Sequence, residues 1–523
     1  MPRRGWSVVA AVVLAVGTVG AGAASASTSA GERPSRYPIA NLTPVPAGAE
    51  RLHFEVGPLT VRPGQNSISF TRRIPQPPVD GFIVGMRTNL RRADGSVPPV
   101  NVIHLHHGVW LNLSAKDSTE PGPLRFFAAG EEKTIMALPT GYGYAYHTTD
   151  SWVLNWMLHN NLATSDQVWI TYDIDLVPAS SPMAASLRPA LPIWMDVQNG
   201  SAYPVFDAVQ GTGTHGAYTY PDQAVDPYPS GIAKNKWVVP VDGVLLATAG
   251  HVHPGGLHDD LWLTRAGATV PRGKAKPGSS DTVHLYESVA DYFEPAGKVS
   301  WDFAVTGTPP TWRPIVHKGD VLSITSTYDT QHTSWYESMG IMVVWMAPGT
   351  TAGGADPFAH AVAATGALTH GHLAENDQHG GRHTSDYANL TRASSQRVPS
   401  GTVIPIMDFA YMRGNMAAGN STIPAIVQGG TLTFRNDDAA QGIYHTITAC
   451  AAPCNLTSGI AYPIANAKTQ FDSAELGHGG PPASGLITWS VPRNLPPGTY
   501  TYFCRIHPSM RGAFRVLPAS AKP

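Results

Sequence analysis

The 523-residue chain has a formal net charge of −2 and only 14% charged residues, which excludes the basic footprint of a nucleic-acid or anionic-membrane binder. Its 52 Gly and 46 Pro, with little helical periodicity, favour an all-β, loop-rich protein of about three domains. The 21 His stand out in a chain so poor in charge.

Residues 1–26 read as an export signal, with Arg3-Arg4, an apolar run from Val8 to Val19, and an Ala24-Ser25-Ala26 cleavage site. Cleavage after Ala26 predicts a secreted, extracytoplasmic protein. No second apolar span follows, so no stable membrane insertion is expected after processing. The twin Arg matches the signal for folded, metal-loaded cargo only in part, because Pro2 and Gly5-Trp6 depart from it.

Short apolar runs alternating with turn signals, such as Leu59-Thr-Val-Arg-Pro-Gly and Phe82-Ile-Val-Gly-Met, predict an antiparallel sandwich over residues 45–180. Inside it lies Asn101-Val-Ile-His104-Leu-His106-His107-Gly-Val-Trp110. On a regular strand His104 and His106 share a face. Adjacent His106 and His107 share a metal only where a bulge or strong twist intervenes.

Residues 190–348 predict a second β unit. Its chemical signature is Gly250-His251-Val252-His253-Pro254-Gly255-Gly256, with two imidazoles at i and i+2 on one strand face. The glycines around them permit close approach of neighbouring backbone. Asp259-Asp260 beside His258 read as loop residues. Residues 349–398 are a His-rich linker carrying His360, His370, His372, His379 and His383. His370 and His372 are candidate metal ligands there, weighed against a flexible linker with adventitious metal affinity.

A third β unit covers residues 399–518. It ends on Tyr502-Phe503-Cys504-Arg505-Ile506-His507-Pro508-Ser509-Met510. A soft Cys sulfur, His nitrogens and a weak Met are what a type 1 copper centre needs. The second imidazole is expected from His445 in Ile443-Tyr444-His445-Thr446-Ile447. Cys450 and Cys454 remain as a candidate disulfide. An extended strand would hold them ~13 Å apart, but Pro453 can turn the segment and an oxidising compartment favours the bond.

The third unit resembles the cupredoxins. Asp408-Phe, Gly429-Gly-Thr-Leu-Thr-Phe-Arg-Asn, His445-Thr-Ile-Thr, Phe471-Asp-Ser and the Cys504 loop fall in the family order, most like the amicyanin and plastocyanin branch. The resemblance implies a one-electron carrier with ligands His445, Cys504, His507 and Met510. Multicopper oxidases and nitrite reductases place a His next to the blue-copper Cys. Here Phe503 and Arg505 flank Cys504, so that wire is absent.

Residues 50–348 show a more distant resemblance to the type II copper, ascorbate-dependent monooxygenases. His106-His107, Trp152-Val-Leu-Asn-Trp-Met-Leu-His159, His251-Val-His253-Pro-Gly-Gly and Tyr336-Glu-Ser-Met339-Gly follow their order. That family implies two jelly-roll-like antiparallel sandwiches facing across an open cleft, with one type 2 copper each. The electron-supplying copper would take His106, His107 and His159, with His104 as the fallback ligand. The copper that binds O2 and hydroxylates C–H would take His251, His253 and Met339. Met342 is the fallback there, although three residues along a strand it points to the opposite face.

Peptide-amidating members hold a carboxylate with polar side chains at positions that match Ala249, Ile341 and Val343 here. A peptide C-terminus is thus not the expected substrate, and a less polar organic molecule is. The expected protein is a secreted copper monooxygenase with a fused type 1 copper donor, using O2, a small organic substrate and an external reductant. The alternative is a non-catalytic copper-storage or electron-transfer protein.

Overall fold

The computed structural model describes residues 37–40, 44–62, 68–100, 102–160, 165–200, 204–268, 281–293, 301–331, 335–362, 366–371, 390–414, 422–450, 471–478, 485–504 and 510–521. The fold is all-β. Among the described residues the helical elements are short 3-10 turns such as Ala184–Ser186, and no helix is long and apolar enough to cross a membrane.

In the first unit, a sheet built on Glu50–Val61, Asp166–Pro178, Gly81–Arg91 and Tyr142–Tyr146 faces a four-stranded sheet. The latter runs Ile68–Arg72, Trp152–Asn160, Ile103–Lys116, Pro123–Ala129. Ile83, Met86, Leu105, Trp110, Phe126 and Leu154 form the core between them; Ile83 with Met86, and Leu105 with Trp110, share that face because a bulge lies between the members of each pair.

The second unit has a seven-stranded sheet centred on Gly256–Thr264, Val321–Asp329 and Thr282–Tyr292. Opposite it lies a five-stranded sheet containing Gly340–Pro348, Gly243–Ala247 and Gly250–Val252. Asp259 and Asp260 are interior residues of the strand Gly256–Thr264, not of a loop. Alternating hydrophobics on both sides of this segment, Leu257 and Leu261 to Leu263, disguise the two carboxylates as a break in a strand that continues through them.

The five-stranded sheet buries both faces. Leu245, Met342, Val344 and Met346 enter the second core, whereas Val244, Leu246, Trp345 and Ala347 join the first. Trp345 reaches Tyr144 of the first unit, with ring centroids 5.9 Å apart. Near-continuous apolar runs such as Gly340–Pro348 are what a doubly covered strand requires. Where the monooxygenase resemblance implies an open cleft, the two sandwiches share this layer among the described residues. Exposing it would cost about 1.5–3 kcal/mol for each large aliphatic side chain uncovered.

In the third unit, Ser394–Arg397, Thr422–Val427, Arg511–Leu517, Gly498–Phe503 and Thr448–Cys450 form one sheet. Ala410–Tyr411, Thr402–Met407, Leu432–Asn436 and Thr488–Ser490 form the other. Mixed parallel and antiparallel pairings close them around a core containing Phe434, Tyr502, Cys504 and Met510.

Candidate metal centres

The strand Ile103–Lys116 pairs with Trp152–Asn160 so that His104 lies opposite His159, and the register slips between Leu105 and His107. That bulge falls on His106 and sends the consecutive imidazoles in diverging directions. His104, His106 and His159 come together, with ring centroids 4.6 Å apart for His104–His159 and 4.7 Å for His106–His159. Trp301 stacks on His104 at 4.9 Å and lies 4.8 Å from His106. His107 instead is buried where the charges of His251 and Glu132 act on it. Of the imidazoles implied for the electron-supplying site, the structure thus groups His106 and His159 with His104, and sets His107 beside the other site.

His251 and His253 project from the edge of the shared sheet, with ring centroids 5.5 Å apart. His251 pairs with Ile341 across the ladder, and Val252 with Gly340. This register puts Met339 on the face of the two imidazoles and Met342 on the other, where Met342 is a core residue. The Tyr328 phenol fastens Met339 to His253. It accepts the backbone N–H of His253 at 2.8 Å and of Met339 at 3.0 Å, and donates to the Met339 carbonyl at 2.7 Å. Burial pushes this phenol far above its ordinary range, so it stays protonated and keeps its donor. Gly255, at φ +91°, packs so tightly under Trp335 that a Cβ would sit 2.3 Å from the indole. Only glycine turns the chain there.

The two histidine groups touch. His106 and His253, from different sandwiches, have ring centroids 4.4 Å apart. The contact is made possible at Gly130, where a Cβ would lie 2.6 Å from the His106 carbonyl oxygen, 2.7 Å from Glu132 Oε2 and 3.1 Å from His251 Cε1. Six imidazoles, His104, His106, His107, His159, His251 and His253, thus form one continuous cluster.

The donor chemistry fits a metal. His104 Nδ1 contacts the Val100 carbonyl at 2.9 Å, His251 Nδ1 contacts Glu132 Oε2 at 3.1 Å, and His253 bonds the Glu337 backbone. In all three rings the Nε2 is buried with no hydrogen-bond partner. One nitrogen fixed by a carbonyl or carboxylate and the other left bare is the pattern of a metal-ligating imidazole. Burial pushes His104 down to about 3 and His107 to about 4, and lowers His106 and His253 well below the usual histidine range. These rings are neutral at neutral pH, as ligation requires. Burial would raise Glu132, but the neighbouring His251 and the Gly130 N–H outweigh it, and the carboxyl stays ionised.

A cavity of about 440 Å³ opens beside this cluster, between the sandwiches. His251 and Glu132 supply its polar edge, and Ala249, Ile341, Val343 and Trp345 much of its apolar wall.

At the other centre, Cys504 and His445 are both fully buried. His445 Nε2 bonds Asp438 Oδ2 at 2.9 Å and its Nδ1 faces Cys504 Sγ at 3.9 Å, close enough for one ion to contact both. The Thr446 N–H reaches the same sulfur at 3.3 Å, and the Cys504 N–H donates to the Met510 carbonyl at 3.1 Å. Burial opposes protonation of His445, but Asp438 and Cys504 outweigh it and raise its pKa. Met510 is buried in the same core. His507 lies outside the described residues, as do Cys454 and His372. His370 has Nδ1 beside the Gly371 carbonyl and Nε2 beside the Glu131 carbonyl, apart from the imidazoles of the cluster.

Glu132, Tyr328, Trp301 and Asp438 escape sequence reasoning because none belongs to a His motif. The available signal was the Glu131-Glu132 pair directly after the apolar Phe126-Phe-Ala-Ala-Gly run.

No protein-family model matches the chain, and no curated protein matches it. Among solved structures it is similar to the Cu(I) form of an amicyanin variant, at 19% identity over 25% of this chain and 91% of that one, TM-score 0.14. It is also similar to the Cu-containing nitrite reductase (NirK) from Thermus scotoductus SA-01, at 13% identity over 55% of this chain and 59% of that one, TM-score 0.16. A third similarity is to the VP2 subviral particle of infectious bursal disease virus, at 9% identity over 61% of this chain and 76% of that one, TM-score 0.18. What this chain does must be sought in its own side chains.

Proposed function

We propose that this chain is an exported copper-dependent monooxygenase that hydroxylates a small, largely apolar organic molecule, with electrons fed through the Cys504 centre from an external reductant. The observation that carries the reading is the cavity walled by Ala249, Ile341 and Val343, with the His251 imidazole at its edge. An apolar chamber opening on a metal-type imidazole suits a substrate that must be held dry beside a redox centre. Copper bound to these residues would supply one-electron redox chemistry and O2 activation.

The chain's own groups do the rest. Glu132 holds the His251 ring, and Tyr328 keeps His253 and Met339 adjacent. The apolar wall excludes water, and Trp301 shields the His104, His106 and His253 rings. For the donor centre, Asp438 orients His445. The fused arrangement makes electron delivery intramolecular.

A second reading is favoured by the 4.4 Å contact between His106 and His253, which leaves no gap between two separate centres. It is a non-catalytic store or relay holding copper in one pooled cluster. Reductant-dependent O2 uptake by copper-loaded protein, with a panel of apolar substrates, separates the two. The monooxygenase reading expects substrate-stimulated uptake that disappears in His251→Ala and falls sharply in Met339→Ile. Uptake unchanged in both variants leaves only storage or relay.

A further inference from the structure

The strand Gly256–Thr264 carries a second set of chemistry on its other face. Side chains alternate along it, so Leu261 and Leu263 enter the core while His258, Asp260 and Trp262 face the opposite way. The neighbouring strand Thr282–Tyr292 places Glu287 directly across from Asp260 and His284 across from Trp262. These two residues are three apart and would normally point to opposite faces. The register shift between Leu261 and Trp262 brings them to the same one.

Ligand atoms of His258, Asp260 and Glu287 all lie within 4.8 Å of one another. The Asp260 carboxylate is at the centre, its side chain 1% exposed, with His258 Nδ1 at 3.0 Å from Oδ2 and His284 Nε2 at 2.9 Å from Oδ1. The His284 approach is close, yet it has no hydrogen-bond alignment, and both atoms are buried without a hydrogen-bond partner. Two donors ~3 Å apart that do not point at each other are what neighbouring ligands of one ion look like, each ~2.0–2.2 Å from it. His258 and His284 remain partly accessible, at 17% and 36% side-chain exposure, which leaves a path for an ion to enter.

We infer that His258, Asp260, Glu287 and His284 form a binding site for a divalent first-row metal ion, separate from the six-histidine cluster. Two imidazoles and two carboxylates with no sulfur suit Zn²⁺ and disfavour Cu(I). An ion there would clamp the two strands at the level of Asp260. The adjacent Asp259 faces the other way and accepts the backbone N–H of His251 at 3.1 Å, so the clamp would steady the strand that supports the cluster.

The test uses full-length protein with its copper sites already filled, titrated with Zn²⁺ and desalted. The site expects one zinc per chain beyond the copper, with a zinc X-ray absorption shell of nitrogen and oxygen only. It also expects a melting temperature that rises with zinc. His258→Gln and Glu287→Gln, both partly exposed and substituted conservatively, should lose that zinc and that rise while retaining full copper. Zinc absent from wild type, or retained at full stoichiometry in both variants, overturns the site and leaves an ion-pair network around Asp260.

Discussion

The two candidate centres are built in opposite ways. The Cys504 centre draws its described side chains from one sandwich, and the hydrogen bond that His445 Nε2 donates to Asp438 turns the other ring nitrogen to the sulfur. The histidine cluster is assembled from two sandwiches, and its closest contact, His106 with His253, crosses between them. A centre contained in one domain can form as that domain folds. A centre that straddles an interface exists only when both halves are packed, so its geometry is hostage to every residue that sets their spacing.

The sharpest way to break this comparison is to remove one centre and watch the other. Cys504→Ser should abolish the blue absorption and the type 1 resonance signal completely, while copper in the histidine cluster is unchanged. Loss of both would show that the centres depend on each other.

Next in size come the residues that orient ligands. Asp438→Asn should weaken copper binding at the Cys504 centre about 10–100-fold, and Glu132→Gln should do the same at the cluster, each read by chelator competition. Tyr328→Phe removes the shared phenol between His253 and Met339. It should lower copper affinity at the cluster, with no effect on the blue signal.

The centres should also respond to pH with opposite signs in copper-free protein. His104 and His107 are held down to about 3 and 4. Below the unfolded value near 6.5 the unfolded chain takes up protons that the folded chain refuses. Stability therefore falls as pH drops from about 6.5 towards 4, by ~1.4 kcal/mol per pH unit for each such histidine. His445 is raised instead. Its contribution is fully present below the unfolded value and is lost as pH rises through the folded one. Urea midpoints across pH 5 to 8 for wild type, His104→Gln and His445→Gln would separate the two trends. A His104→Gln curve that parallels wild type in acid contradicts the first.

The smallest expected effect concerns the cavity. Ala249→Leu adds apolar volume to its wall and should raise KM for a well-fitting substrate about tenfold, leaving copper content unchanged.

Much of this was legible in the sequence, and the part that was not has a physical cause. The all-β fold follows from the alternating runs and turn residues. The i, i+2 spacing of His251 and His253 places both on one strand face, and the three-residue step from Met339 to Met342 places those two on opposite faces. Local periodicity carries that information. The grouping of His104 rather than His107 with His106 and His159 depends on where the bulge falls, and no residue pattern around Leu105 announces it. The layer shared by the two sandwiches depends on contacts such as Trp345 with Tyr144, between residues some 200 positions apart. Asp259 and Asp260 read as loop because two carboxylates in a strand are costly, and much of that cost is met by partners on other strands, His251 for Asp259 and His284 for Asp260.

Gly130 turns the spacing of the cluster into something adjustable in steps of one carbon. With hydrogen as its side chain, it lets the His106 carbonyl, Glu132 and His251 crowd around a single point. A methyl there would act as a shim driven between the sandwiches, prising His251 from Glu132 and His106 from His253. A series of Ala, Ser and Val at this one position is therefore a ruler. Along it, the distance between imidazoles should grow while every candidate ligand residue is retained, and copper affinity of the cluster can be read against it.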